Sequence, residues 1–483
     1  MKAKDFLYLV LLTAGSLFVH GYHPGAEDAE IYVPGIKVLI NPLLYPFGRE
    51  FFISQTRMTL FPNLVAASVR FSHLPFDLAI FLWHVLSIFL LLLGCLQLSR
   101  LLFSDERASW AGVTLLAALL TLPVTGTALY IVDQYLNPRA LALFASIFAT
   151  SAVLQRKYLH VALWLLFAAV IHPLMAVFMA SWIFFLVVVR RFQFQAIPAF
   201  SLLPLGIFFT YPSPAYRELV QRYSDFFVLR WPWYEWLGIF GPLLILYGLS
   251  RLAQKQGQCD LDTVCRAVIP FGLFYFLVAV IFSISDRLIG LTRFQPLRSL
   301  QIVYTLLVVI GGGFLGKWLM KNRVWPWLVL CGAVSAGMFI AARQLFPASP
   351  QIEWPGVVTR NDWLQAFAWI KSNTPTDAFF ALNPAYMHIP GEDYQGFRVH
   401  AERSRLADNV KDAGAASLFP GLPLAEHLKE QLDAQRGWAN YELADFERLR
   451  KQYGVTWVLL DQKKDSKLDC PYANATLRVC RLP

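Results

Sequence analysis

The sequence predicts a polytopic all-α membrane bundle of about eleven transmembrane helices, followed by a small C-terminal α/β domain. Three observations carry this. Apolar side chains make up 57% of the 483 residues and charged ones only 15%, more hydrophobic surface than a water-soluble fold can hide. The apolar residues come in long runs, and Lys and Arg return between them in short clusters on alternate loops. Past residue 342 the long runs stop, and a mixed pattern of amphipathic helix and strand takes over.

The first apolar run, 6–20, follows Lys2 and Lys4 and has no small-residue cleavage site after it, so it reads as an uncleaved span. Further spans are expected near 76–103, 110–132, 139–154, 158–171, 174–189, 195–211, 233–252, 266–285, 298–316 and 324–342. Many of the Trp, Tyr and Phe residues lie near the ends of these runs, where amphipathic rings favour the headgroup region. The net charge of +10 is dispersed over short loops and forms no continuous basic face, which argues for a bilayer and against nucleic acid as the partner.

Those loops set the expected orientation. Arg100 and Arg107, Arg156 and Lys157, Arg190 and Arg191, Arg251 and Lys255, and Lys317, Lys321 and Arg323 mark one side as cytoplasmic, together with the N-terminus. An odd number of spans then places the tail on the other side. The expected domains are a transmembrane domain, 1–342, with an external acidic loop at 22–60, and a periplasmic α/β domain, 343–483.

Within the tail, 363–372 reads as an amphipathic helix stopped by Asn373, Thr374 and Pro375, with a strand at 378–382. A second helix is expected at 445–453 and a buried strand at 456–461. Cys470 and Cys480 flank a short β-prone stretch and are expected to form a disulfide in an oxidising compartment. The other cysteines lie in apolar runs (Cys95, Cys331) or a polar loop (Cys259, Cys265), and the set shows no zinc spacing. Gly311, Gly312 and Gly313 sit inside an apolar span and read as a close helix contact.

Charged groups are costly in hydrocarbon, so their position indicates where chemistry lies. Glu27, Asp28 and Glu30 follow the first span and precede an apolar stretch, 31–44. A carboxylate held beside an apolar wall suits a general base, and two or three together suit a divalent cation. A solvated helix start, with acids favoured by the macrodipole, is the alternative. Asp133 is a further acid on the same side, near Asn137 and Arg139. Arg293 and Arg298 flank Pro296 at the mouth of a span, where a guanidinium fork suits a lipid phosphate or snorkels to the headgroups. His172 before Pro173 reads as a helix-end residue, and His84 as a helix-to-helix hydrogen bond.

These residues carry a resemblance. Glu27 and Asp28 ahead of Ile31 and Tyr32 resemble the first external loop of the GT-C superfamily of integral-membrane glycosyltransferases, and Asp133 sits where that family often has a second external acid. The tail, from Trp369 through Pro375 to Phe379 with Phe397, Arg398, Glu402 and Arg403 further on, is similar to periplasmic tails of bacterial multi-spanning proteins grouped near it. The resemblance implies a GT-C-like bundle in a bacterial inner membrane that transfers a sugar from a polyprenyl-phosphate donor to a glycan, lipid or protein acceptor on the periplasmic face. It maps the base onto Glu27 or Asp28, with Asp133 as a second candidate, and the donor phosphate onto Arg293 and Arg298. A Mg2+ or Mn2+ ion, if used, would fall to Glu27, Asp28 and Glu30. The chain departs from the best-defined families in lacking an isolated acidic pair, since Glu27, Asp28 and Glu30 crowd together.

Two other classes compete. A transporter or flippase for a lipid-linked saccharide normally needs polar groups near the bilayer midplane, and apart from His84 few are placed there. A non-catalytic scaffold for envelope assembly would share the architecture without the chemistry. The topology is checked by reporter fusions after Arg343: activity of a periplasm-specific reporter is expected, and activity of a cytoplasm-specific one there would overturn the orientation.

Overall fold

The computed structural model describes residues 2–192, 212–320, 323–357, 360–464 and 467–483. The chain divides into two compact units, Met1–Gly21 with Trp83–Tyr211 and Gln221–Ala342, and Tyr22–Leu82 with Pro212–Val220 and Arg343–Pro483.

Seven helices among the described residues are long and apolar enough to cross a membrane: Ala3–His20, Phe76–Leu102, Pro173–Arg191, Trp233–Lys255, Cys259–Ile284, Asp286–Trp318 and Trp325–Leu345. Pro138–Leu154 and Tyr158–Ile171 are apolar but shorter. The span expected near 195–211 lies outside the described residues. The run at 110–132 folds differently from a single span: the Glu106–Ala118 helix ends, and Pro123–Val124 pairs with Leu129–Tyr130 in a short hairpin. Pro123 cannot extend the helix ladder. Gly126 turns the chain at φ +57, where an added Cβ would lie 2.3 Å from the Trp231 ring. His172 is extended, at φ −153, so the helices on its two sides are separate elements.

The centre of the first unit is the Leu300–Leu315 helix, buried along most of its length. It meets Glu106–Ala118 backbone to backbone. A Cβ on Gly112 would stand 2.3 Å from the Val309 carbonyl oxygen, and one on Gly312 would stand 2.9 Å from the Gly112 Cα. Gly313 is packed by Phe103, whereas Gly311 faces open space. Small residues thus replace hydrophobic drive with close van der Waals contact, as helix pairs in lipid require.

The second unit is built on a five-stranded sheet of β1 (Phe379–Leu382), β2 (Ser404–Arg405), β3 (Trp457–Asp461), β4 (Asp469–Ala473) and β5 (Leu477–Arg481). Its order is β2-β1-β3-β5-β4, parallel over the first three strands and antiparallel over the rest. Alternation along β3 separates two cores. Trp457 and Leu459 pack with Trp363, Phe367 and Ile370 of the Asp362–Asn373 helix, while Val458 and Leu460 pack with Phe446 and Leu449 of the Leu443–Tyr453 helix. Cys470 on the edge strand is joined to Cys480 by a disulfide.

The segment expected as an external loop, 22–60, forms the helices Ala29–Ile40 and Glu50–Met58 and groups with this sheet. Charge fixes it there. The Glu30 carboxylate, 1% exposed, accepts hydrogen bonds from the Arg398 amide (3.1 Å), the Val399 amide (3.2 Å) and the Arg405 guanidinium (3.1 and 3.2 Å). Arg398 in turn grips Asp412 bidentately, at 2.7 and 3.0 Å, and Arg405 donates to Asp412 (2.9 Å) and to Asp408. Gly396 makes room, since a Cβ there would stand 2.3 Å from Glu30 Oε2. Two turns further along the helix, Lys37 donates to the Val399 carbonyl (2.7 Å) and to Glu402 (2.6 Å).

Removing one member of such a network leaves a buried charge uncompensated, at about 3–5 kcal/mol. Glu30→Gln and Arg405→Met are each expected to destabilise the folded protein by that amount in chemical unfolding. Because they share partners, the double variant should fall short of the sum by about 0.5–3 kcal/mol. Strict additivity would show that the two side chains do not depend on each other.

Candidate active site

Residues 22–28 are held by backbone on two sides. The Tyr22 amide donates to the Gln351 carbonyl (3.0 Å) and the Glu353 amide to the Tyr22 carbonyl (3.0 Å). Beyond the turn, the Gly396 amide donates to the Gly25 carbonyl (2.8 Å) and the Glu27 amide to the Tyr394 carbonyl (3.0 Å). Buried side chains complete the clamp. His23 Nδ1 lies 2.8 Å from Glu353 Oε1, which also accepts from Gln395 Nε2 at 2.6 Å, and His400 Nε2 lies 3.1 Å from Gln395 Oε1. Gly25 has no alternative here: a Cβ would fall 1.8 Å from His400 Nε2. Burial pushes the His400 imidazole down to about 3, so it serves this chain of hydrogen bonds as a neutral ring.

Glu27 itself adopts φ +53, a left-handed conformation uncommon for a residue with a side chain. That conformation and the start of the Ala29–Ile40 helix direct two adjacent carboxylates onto one amine. Lys411 Nζ donates to Glu27 Oε2 and, at 3.2 Å, to Asp28 Oδ1. The side chains of Glu27 and Asp28 keep 37% and 27% of their surface exposed, while that of Lys411 keeps 12%. Burial works against the charged amine, yet the two acids outweigh it and hold the Lys411 pKa above the ordinary lysine value.

Glu30 has a different setting from its neighbours. Burial pushes its carboxyl up, with Arg405, Arg398 and the Arg398 amide pulling against that. All of its hydrogen bonds go to groups that anchor the helix. Of the three acids expected to serve as base or metal ligand, only Glu27 and Asp28 therefore face solvent.

The remaining expected residues belong to the other unit. Asp133 is buried, and its carboxylate accepts from Arg139 (2.9 Å) and from Asn137 (2.5 Å), while Asn137 caps the Pro138–Leu154 helix through the Ala140 amide (3.0 Å). This is a helix-anchoring arrangement. Arg293 and Arg298 are both half-buried but do different things. Arg293 lies over the Phe294 ring, 4.9 Å from its centroid. Arg298 lines a cavity of about 10 Å3, room for one water, with Asp225, Phe226, Trp231, Thr127 and Gln295. Burial raises the Asp225 carboxyl above its ordinary value, and Arg298 opposes it.

The carboxylates do not fit a divalent cation as they stand. Mg2+ and Mn2+ want several converging oxygens. Here the Glu27 and Asp28 oxygens converge on an ammonium, the Glu30 oxygens on guanidinium and amide groups, and among the described residues no three His, Cys, Asp or Glu side chains come together around a common point. Sequence reasoning missed Lys411, Arg405 and Asp412, and singled out Arg398 only as part of the tail, without its ionic role. The acidic turn and Lys411 are separated by more than 380 residues, and no local pattern announces that pairing.

No family model matches the chain. Among solved structures, it is similar to the arabinofuranosyltransferase AftD from Mycobacteria, with 13% identity and a TM-score of 0.51, over 100% of this chain and 40% of that one. It is also similar to the oligosaccharyltransferase of Archaeoglobus fulgidus, with 12% identity and a TM-score of 0.47, over 95% of this chain and 69% of that one. This chain thus spans less than half the length of the arabinofuranosyltransferase, and at such identity the likeness is one of fold. The shared fold is that of a multi-pass membrane protein, a helical bundle followed by a small C-terminal sheet domain.

Proposed function

We propose that the chain is a membrane glycosyltransferase that moves a sugar from a polyprenyl-phosphate donor to an acceptor hydroxyl on the periplasmic face of a bacterial inner membrane. The observation that carries this reading is the Glu27 and Asp28 pair: two adjacent carboxylates, partly exposed and held on one largely covered amine by a left-handed backbone. Strain and paired charge of this kind concentrate at functional sites. The fold shared with the arabinofuranosyltransferase supports sugar transfer as the class of reaction. Asp133 and Glu30 are committed to anchoring, which leaves Glu27 or Asp28 as the base.

In the reaction, one of these carboxylates takes the proton of the acceptor hydroxyl as its oxygen bonds to the anomeric carbon. The bond from that carbon to the phosphate oxygen breaks, and the lipid phosphate leaves with the electron pair. For the donor phosphate the reading retains Arg293 and Arg298, which belong to the first unit, as ligands through charge-assisted hydrogen bonds. The acceptor, a glycan, lipid or protein, supplies only the hydroxyl.

Transfer of a labelled sugar from a polyprenyl-phosphate donor in proteoliposomes tests the assignment. The base is expected to be one of the pair, so Glu27→Gln or Asp28→Asn should lower turnover by about 10²–10⁴ while thermal unfolding stays near that of the unaltered protein. Arg298→Ala should weaken donor binding by about 2–5 kcal/mol. Near-full transfer by both acid variants would show that neither acid is the base and remove the basis of the enzyme reading.

A further inference from the structure

We propose that the Lys411 ammonium takes the place of a divalent cation between Glu27 and Asp28, so that the acidic pair is set for catalysis without a metal ion. What the two acids do rests on the reading above; how they are held rests on geometry alone. Both carboxylates of the turn point at one Nζ, which donates to Glu27 Oε2 and to Asp28 Oδ1. The lysine is fixed at its root as well as its tip. Its amide donates to Asp408 Oδ1 at 2.5 Å, that oxygen also accepts from the Val410 amide at 2.7 Å, and the next residue, Asp412, is clamped by Arg398. The backbone that carries the amine is thereby fixed at the start of the Lys411–Ser417 helix.

A metal ion entering here would meet a positive charge with little solvent to retreat into, because the Lys411 side chain is only 12% exposed. Like-charge repulsion in a partly buried site disfavours that state. The third carboxylate that could complete an oxygen shell, Glu30, is turned toward Arg398 and Arg405. The charge arithmetic also separates the two designs. Two carboxylates and one ammonium leave a net charge of −1, whereas two carboxylates and a dication leave none. The triad therefore does not draw a phosphate toward itself; its surplus negative charge suits withdrawing a proton from a neutral hydroxyl. Lys411 acts as a positioning residue, holding both carboxylates on one ammonium.

The test measures Mn2+ binding to the full chain in detergent, by electron paramagnetic resonance of the free ion, for the unaltered protein, Lys411→Met, Lys411→Arg and the double variant Lys411→Met with Glu27→Gln. Lys411→Met should bind Mn2+ about tenfold or more tightly than the unaltered protein, because a unit charge has left the pair. Lys411→Arg should show no such gain, and the added Glu27→Gln should abolish it. Sugar transfer by the unaltered protein should withstand chelation, and Lys411→Met should change the pH profile of transfer, which a purely structural role would not. Stoichiometric Mn2+ binding by the unaltered protein that Glu27→Gln removes would overturn the inference, and this outcome can be read even if Lys411→Met fails to fold. So would a folded Lys411→Met protein with no gain in Mn2+ affinity. Mn2+ binding as expected in a protein that transfers no sugar would support the lysine bridge and count against the enzyme reading alone.

Discussion

The second unit depends on one buried carboxylate. Glu30 is carried by the first helix after the N-terminal span, yet its acceptor oxygens are filled by the Arg398 and Val399 amides and the Arg405 guanidinium, at the β2 edge of a sheet formed by the end of the chain. Hydrophobic contacts alone would allow the Ala29–Ile40 helix to slide along that edge, since burial of apolar area has no direction. Four hydrogen bonds to fixed amide and guanidinium groups do not. With the helix register set, the residues just before it have only one place to go.

That constraint divides three closely spaced acids into two kinds. Desolvation is tolerable for Glu30 because two arginines and two amides surround it, and the resulting group is inert. Glu27 and Asp28, one turn earlier, keep contact with water and share a single amine. The same network that makes Glu30 structural places Lys411, since Asp408 accepts from both the Arg405 guanidinium and the Lys411 amide, and Asp412 from both arginines. Anchor and candidate site are thus consecutive layers of one ionic arrangement, the inner one saturated and the outer one open.

How much of this the sequence disclosed follows from the range of each signal. Apolar runs and the amphipathic pattern of 363–372 are local, and helices appear at Phe76–Leu102, Cys259–Ile284 and Asp362–Asn373 much as periodicity implies. The strand at Trp457–Asp461 is legible for the same reason. The run at 110–132 misled because hydropathy does not register the turn that Pro123 and Gly126 impose. The acidic turn was visible as composition, but which of its acids is buried was not, because burial is decided by Arg398 and Arg405. Asp133 read as an external acid for want of any sign that Arg139 would close on it.

The distance along the chain between Glu30 and its partners has a temporal side. The Arg398 amide that receives Glu30 lies 368 residues downstream. At ordinary synthesis rates that gap corresponds to roughly 20–70 s, during which every later span is made while the Ala29–Ile40 helix waits. Through that interval Glu30 and Lys37 lack the guanidinium and carboxylate groups that later surround them. The unit closes only when its last segment arrives, and a chain interrupted anywhere before Arg405 would display an unpaired carboxylate at its beginning, a mark of incompleteness that quality-control proteases could read.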